Sequence, residues 1–213
     1  MLDMLFPTYC AGCGAAGGRV LCDRCLAEAL GGGLRLIEGT DCAGASFRGY
    51  RAAGAYRGLL REMILRLKSS VFPFAVPLSA LMVAAAGNDP SYLLPERIYF
   101  VPSERAKERE RGFNPAEALA SLVSSHIGRP ISRGLVKVRH TADQDSLDRE
   151  SRLENVKGAF AFRPEEGLAP PARVMLVDDV LTTGATADAC AAVLLEAGAE
   201  SVNLLLAARV ANS

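Results

Sequence analysis

The stretch Val174-Met175-Leu176-Val177-Asp178-Asp179-Val180-Leu181-Thr182-Thr183-Gly184-Ala185-Thr186 constrains the fold more than any other part of the chain. An apolar run delivers two adjacent acids, and a Thr/Gly-rich loop then opens directly into an Ala-rich helical pattern over residues 185–197, stopped at Gly198. A buried strand that feeds a helix is the repeating unit of a parallel sheet, because parallel neighbours need a crossover between them. The same order of residues sets the chemistry. Ligands of open α/β sheets sit at the carboxyl edge of the strands. There, loop N–H groups and the positive helix end hold a phosphate, and threonine hydroxyls add donors. Asp178 and Asp179 are then placed to accept hydrogen bonds from the vicinal hydroxyls of a ribose. An acid pair alone would equally suit a metal pocket or a capped helix start. The pair followed by Thr-Thr-Gly-Ala-Thr favours a sugar phosphate, since each part serves one ligand. No GxGxxG and no GxxxxGK[ST] run occurs, so dinucleotide and P-loop sites lose support.

The pattern upstream has the same alternation. Residues 45–56 read as a strand or hairpin arm. In residues 56–69, Leu59, Leu60, Met63, Ile64 and Leu67 recur at helical spacing among Arg57, Arg61, Glu62 and Arg66. A second helix follows Pro73. Residues 97–101 form a short apolar run, and a helix starts near Asn114. Residues 135–138 and 159–162 are strand candidates on either side of a polar stretch, and residues 202–208 close the series as a buried strand. The expectation is a parallel sheet flanked by helices over residues 41–213, preceded by a small module over residues 1–40 with Gly31-Gly32-Gly33 as connector.

Composition narrows the class of function. Of 213 residues, 50% are hydrophobic, which is enough for a packed core, and 24 basic side chains balance 24 acidic ones. A general nucleic-acid coat is therefore not indicated. The residues from Met1 to Pro7 lack a basic start, and Asp3 and Pro7 interrupt any apolar run, so no targeting segment is read there. Residues 71–87 are apolar but broken by Pro73, Pro77 and Ser79, which speaks against a membrane span. A cytoplasmic protein is expected. The oligomeric state is not readable from these features, and a dimer stays open.

Four of the six cysteines form two CxxC pairs, Cys10/Cys13 and Cys22/Cys25, while Cys42 and Cys190 are scattered. A disulfide framework spreads its cysteines over the chain it staples; clustering suggests metal ligands in a reducing compartment. Four thiolates complete a closed tetrahedral shell, which suits structural Zn²⁺ and leaves no open catalytic position. An iron–sulfur cluster and a pair of labile disulfides remain as alternatives. Arg19 and Arg24 are the only cations between Cys10 and Cys25, few for a nucleic-acid surface, so structural support is the expected role.

Val177-Asp178-Asp179-Val180-Leu181-Thr182-Thr183-Gly184-Ala185-Thr186 resembles the phosphoribosyl pyrophosphate motif of type I phosphoribosyltransferases. The chain as a whole resembles the ComF/GntX family, which joins a CxxC…CxxC zinc-ribbon-like finger to such a domain and includes proteins of bacterial DNA uptake. The matching pieces run in family order: Cys10 to Cys25, Leu67-Lys68, Val101-Pro102, Arg111-Gly112-Phe113-Asn114, Gln144 with Leu147, Arg152 with Asn155, Val156, Gly158, Ala159 and Phe160, and the phosphate motif.

The resemblance implies a type I phosphoribosyltransferase-like α/β fold and a site map. Asp178 and Asp179 would hold the ribose 2′ and 3′ hydroxyls, and Thr182, Thr183, Gly184, Ala185 and Thr186 would cradle the 5′-phosphate. The turn after Val101-Pro102 takes the pyrophosphate position, with Ser103 and Arg105 the nearest polar groups. Arg111-Gly112-Phe113-Asn114 either braces that turn or reaches the ligand. Arg139, His140, Gln144, Arg149 and Arg152 lie where the fold has a mobile catalytic loop, and Mg²⁺ would accompany the ligand. Lys68 matches a family lysine, and a solvated surface lysine is an equal reading. Pro115 stands where the family has glutamine, and Thr182 stands where purine-salvage members have an acid, which counts against purine salvage. Two readings follow. One is an enzyme displacing pyrophosphate at the anomeric carbon with an acceptor that the chain does not reveal. The other is a non-catalytic accessory protein of DNA uptake that uses the pocket as a sensor or docking point for a partner.

Overall fold

The computed structural model describes residues 9–16, 20–29, 36–40, 45–87, 89–140, 155–165 and 169–210. The glycine connector Gly31-Gly32-Gly33, together with Arg19, Cys42, Gln144, Leu147, Arg149 and Arg152, lies outside the described residues.

A five-stranded sheet forms the centre. In chain order, helix α1 (Asp23–Glu28) precedes strands β1 (Ile37–Gly39) and β2 (Gly49–Ala52), then helix α2 (Gly58–Lys68). A 3₁₀ turn (Phe72–Phe74) leads into α3 (Ala75–Ala86) and the short α4 (Pro90–Leu93). Strand β3 (Arg97–Phe100) is followed by α5 (Arg105–Arg111) and α6 (Pro115–Ile127). Strands β4 (Leu135–Lys137) and β5 (Phe160–Phe162) precede β6 (Arg173–Leu181), α7 (Ala185–Glu196) and β7 (Ser201–Arg209). The spatial order is β1-β2-β7-β6-β3; β2, β7, β6 and β3 are parallel, and β1 runs antiparallel at the edge. β4 and β5 pair antiparallel as a separate ribbon.

The central strands are apolar on both faces, as a sheet covered on two sides requires. Period-two alternation sends Met175, Val177, Leu205 and Ala207 to one core, and Val174, Leu176, Leu204 and Leu206 to the other. The first core is closed by α2, α3 and α6 through Leu60, Met63, Ile64, Leu78, Met82 and Leu119. The second is closed by α7 through Cys190, Ala191 and Leu194, with Phe160 of the ribbon. The architecture is a mixed α/β fold with a mostly parallel sheet flanked by helices, as the sequence pattern implies. One boundary differs. The apolar run suggests a strand ending before the acids, but β6 continues through Asp178 and Asp179 to Leu181, in register with Leu206, Ala208 and Arg209 of β7. Edge pairing outweighs the low strand propensity of aspartate there.

Cys10, Leu21, Cys25 and Ala29 join the α2-side core. Among the described residues, no helix is long and apolar enough to cross a membrane.

Candidate functional site

Because β2, β7, β6 and β3 are parallel, their carboxyl ends share one edge of the sheet, where the segments that follow them converge. A cavity of about 320 Å³ opens at this edge. Its walls include Asp178, Asp179, Thr182, Gly184 and Thr186 from β6, the loop and α7, and Tyr56, Leu65 and Lys68 from the α2 side. Thr183 and Ala185 belong to the same loop without being among the lining residues. Gly184 caps α7 with φ 87, a left-handed conformation open to glycine at little cost. At the start of the helix the Thr183 hydroxyl accepts from Ala185 N–H at 3.5 Å, and the positive end of the helix dipole faces the cavity edge.

The acid pair is electrostatically loaded. The Lys68 ammonium lies 3.0 Å from Asp179 Oδ2, and Asp179 is buried. Asp179 beside it is the main reason the Lys68 pKa is raised. The Asp178 carboxyl is pushed up to about 8, first by burial and then by the neighbouring Asp179 charge; the Asp179 N–H, 2.8 Å from Asp178 Oδ1, and Lys68 oppose that shift. Lys68 is thus a wall of the cavity and not a solvated surface lysine.

The remaining sequence-indicated residues are placed nearby or elsewhere. The turn after β3 adjoins β6, with Val101 N–H donating to Val177 O at 3.0 Å. In that turn Ser103 donates its hydroxyl to Glu108 at 2.7 Å, and Glu104 pairs with Lys137. Neither Ser103 nor Arg105 is among the lining residues of the cavity. Asn114 settles whether its motif braces the turn. It is buried, its Nδ2 donates to Val101 O at 3.0 Å, and its Oδ1 accepts from Ala116 N at 2.9 Å as the α6 N-cap. Arg139 sits at the root of the 139–155 segment and donates to the carbonyls of Asn155, Lys157 and His140.

Three residues escaped the sequence reading. Tyr56 lines the cavity, Lys137 neutralises the turn after β3, and buried Arg209 donates to the carbonyls of Leu181, Thr182 and Val210. The signal for Arg209 was a charge ending an otherwise apolar run, which a buried strand tolerates only when it is paired.

The four cysteines form a second site. Their Sγ atoms all lie within 4.8 Å of one another, and Cys13 and Cys22 are 3.8 Å apart. A tetrahedral ion with metal–sulfur bonds of 2.3 Å has sulfur–sulfur edges of about 3.8 Å. Gly12 N–H and Cys22 N–H point at Cys10 Sγ from 3.4 and 3.3 Å. A Cβ on Gly12 would come within 2.9 Å of Cys25 Sγ, so the turn needs glycine. Burial alone would raise the Cys10 thiol; the N–H groups of Cys22, Cys13 and Gly12 together bring it down to about 6. Cys25 is pushed up to about 12, by burial first and then by its three neighbours. Such a divided set becomes four thiolates only with a cation among them, and it fits a structural metal such as zinc. Cys190 is buried in the second core, its thiol pushed well up by burial, and takes no part in this cluster.

A mostly parallel, helix-flanked sheet with this cavity at its carboxyl edge defines a mixed α/β protein consistent with the phosphoribosyltransferase-like fold, carrying an N-terminal four-cysteine cluster. Its relatives sharpen the class. Competence protein F of Haemophilus influenzae is 36% identical over 112 residues, covering 52% of this chain and 49% of that protein. The DNA utilization protein YhgH of Salmonella typhi is 32% identical over 155 residues, covering 72% of this chain and 58% of that protein. Competence protein ComFC of Bacillus subtilis is 30% identical over 98 residues, covering 46% of this chain and 38% of that protein. No family model matches the chain. These matches make the chain a homologue of competence protein F, ComFC and YhgH, the relationship its motifs imply. The chain spans only part of these three relatives, from 38% to 58% of their lengths.

Proposed function

We propose that this chain is an accessory protein of DNA uptake or utilisation, working in the cytoplasm, whose cavity binds phosphoribosyl pyrophosphate or a related ribose 5-phosphate as a sensor or docking signal. One observation carries the ligand: the acid pair Asp178/Asp179 and the loop residues Thr182, Gly184 and Thr186 line one cavity at the carboxyl edge. The names of the relatives, competence protein and DNA utilization protein, support the cellular setting. In this reading Asp178 and Asp179 accept from the ribose hydroxyls, and the N–H groups at the start of α7 hold the 5′-phosphate. Mg²⁺ bound with the ligand would neutralise pyrophosphate charge; the two carboxylates are hard oxygen donors suited to sharing the ion with the hydroxyls. The zinc-loaded cysteine module is then the surface for a protein of the DNA-uptake machinery.

Binding without turnover is favoured by the groups at the leaving-group side. Ser103 is engaged by Glu108, Lys137 is taken up by Glu104 of the same turn, and Arg139 is bonded to backbone carbonyls. Lys68 is the sole cation among the described residues that line the cavity. Among those residues, little positive charge faces a departing pyrophosphate.

The test is calorimetric titration of phosphoribosyl pyrophosphate with Mg²⁺ into the zinc-loaded protein, beside an Asp178→Asn/Asp179→Asn variant. The expected result is saturable binding that the variant loses, without pyrophosphate release over hours. Release that scales with protein and disappears in the variant would make the chain an enzyme. No heat at millimolar ligand from folded protein would overturn the retained site.

A further inference from the structure

Arg209 ends β7 at the carboxyl edge of the sheet, directly beside the end of β6. It is 5% exposed, and its guanidinium lies over the Tyr50 ring at 5.7 Å from the centroid. Its Nη1 donates to Leu181 O at 3.2 Å, to Val210 O at 2.9 Å and to Thr182 O. Its backbone reaches the opposite wall: Tyr56 N–H donates to Arg209 O at 2.8 Å, and Arg209 N–H donates to Gly54 O at 2.9 Å. One residue therefore ties the phosphate loop to the segment that carries Tyr56 into the cavity.

The consequence follows from peptide geometry. In a trans peptide the C=O and the next N–H point in opposite directions. Drawing the carbonyls of Leu181 and Thr182 toward Arg209 turns the N–H groups of Thr182 and Thr183 away from it. The buried cation also leaves a positive charge behind the loop, where a bound anion lies within its field in a medium of low dielectric.

We propose that Arg209 is a positioning residue that presets the loop from Thr182 to Thr186 for the dianion of a phosphomonoester. This inference rests on the ribose 5-phosphate reading of the cavity and names what sets its phosphate end. Two effects are expected of the arginine: it aims donors, and it shifts preference from the singly to the doubly charged phosphate. A phosphomonoester takes its second charge near pH 6, so affinity should rise more steeply through about pH 6 in wild type than in a variant without the arginine. Asp178, Asp179 and Lys68 face the same cavity in both, so the comparison isolates Arg209.

The experiment is calorimetry with ribose 5-phosphate on the full chain, from pH 5 to pH 8, for wild type, Arg209→Met and Arg209→Lys, with melting temperatures measured alongside. Arg209→Met should lose about tenfold or more in affinity at pH 8, the size expected for lost charge-assisted hydrogen bonding, and its affinity should rise less with pH. Arg209→Lys should keep the pH rise while binding more weakly than wild type. A folded Arg209→Met protein with wild-type affinity and an unchanged pH profile overturns the proposal. If Arg209→Met does not fold, Arg209→Lys decides: weaker binding at an unchanged melting temperature supports the proposal, and wild-type affinity overturns it. A wild type that binds no ribose 5-phosphate at millimolar concentration overturns the ligand reading itself, an outcome distinct from wild-type binding with no dependence on Arg209.

Discussion

At the residue scale, the acid pair behaves as a charge store that a ligand must reorganise. Lys68 offsets one negative charge on Asp179, and Asp178 is left to hold a proton, with its pKa at about 8 against an unfolded value of about 3.9. Between those two pH values the unfolded chain has released a proton that the native protein retains. Stability without ligand should therefore fall as pH rises from about 4 toward about 8, because the native state binds more protons there. Asp178→Asn removes the titrating group and should flatten this slope, so the variant gains on wild type between pH 5 and pH 8. Urea unfolding of both proteins at those two pH values measures the difference. A wild-type slope identical to that of the variant would mean that Asp178 titrates as a solvated acid.

At the element scale, α6 shows how a loop motif can be a structural device. Asn114 caps the helix and also satisfies the Val101 carbonyl at the head of the turn after β3. Removing its side chain costs the cap, about 1 kcal/mol, and leaves a buried carbonyl without this donor, about 1–3 kcal/mol more. Asn114→Ala should thus destabilise the protein by roughly 2–4 kcal/mol, read as a lower urea midpoint at unchanged slope. Asn114→Asp keeps the capping acceptor and loses the donor, so it should fall between the two. What was legible beforehand divides along the same line. The apolar periodicity of α2, the Ala-rich α7 and the buried β7 are local patterns, and the chain itself displays them. The CxxC pairs and the phosphate loop are equally local, since their members lie within a few residues of each other. The extension of β6 through its acids was not legible, because it depends on pairing with Ala208 and Arg209 in a strand some thirty residues on. Lys68 against Asp179, Lys137 against Glu104 and Arg209 under Thr182 are likewise pairs between distant elements. No spacing rule announces such pairs, although each buried charge signalled that a partner was required.

At the scale of the whole molecule, the cysteine cluster and the ligand cavity meet the same helix from opposite ends. The N-cap and first half of α2, Arg57, Gly58, Leu59 and Glu62, share a second cavity with Gly12, Cys25 and Ala29, and Leu65 and Lys68 in its second half line the cavity at the carboxyl edge of the sheet. Cys10, Leu21 and Cys25 also belong to the core that holds Leu60, Met63 and Ile64 of α2. Metal binding to four thiolates converts its free energy into folding free energy wherever the unfolded chain lacks the site. Because the cluster is packed into the body of the protein, metal removal should be felt by the whole molecule and not by its N-terminal end alone. Stripping the metal with a chelator should lower the melting temperature by roughly 5–10 °C, corresponding to about 2–3 kcal/mol in a chain of this size. The loss should appear in one cooperative transition followed by far-ultraviolet circular dichroism. Cys13→Ser, which removes an exposed ligand with little change in packing, should give most of the same shift. A melting curve unchanged by the chelator, from protein shown to have lost its metal, would mean that the cluster is an appendage whose order does not reach α2. A single shifted transition would instead mean that the metal module and the carboxyl-edge cavity, which α2 touches at its two ends, share one stability.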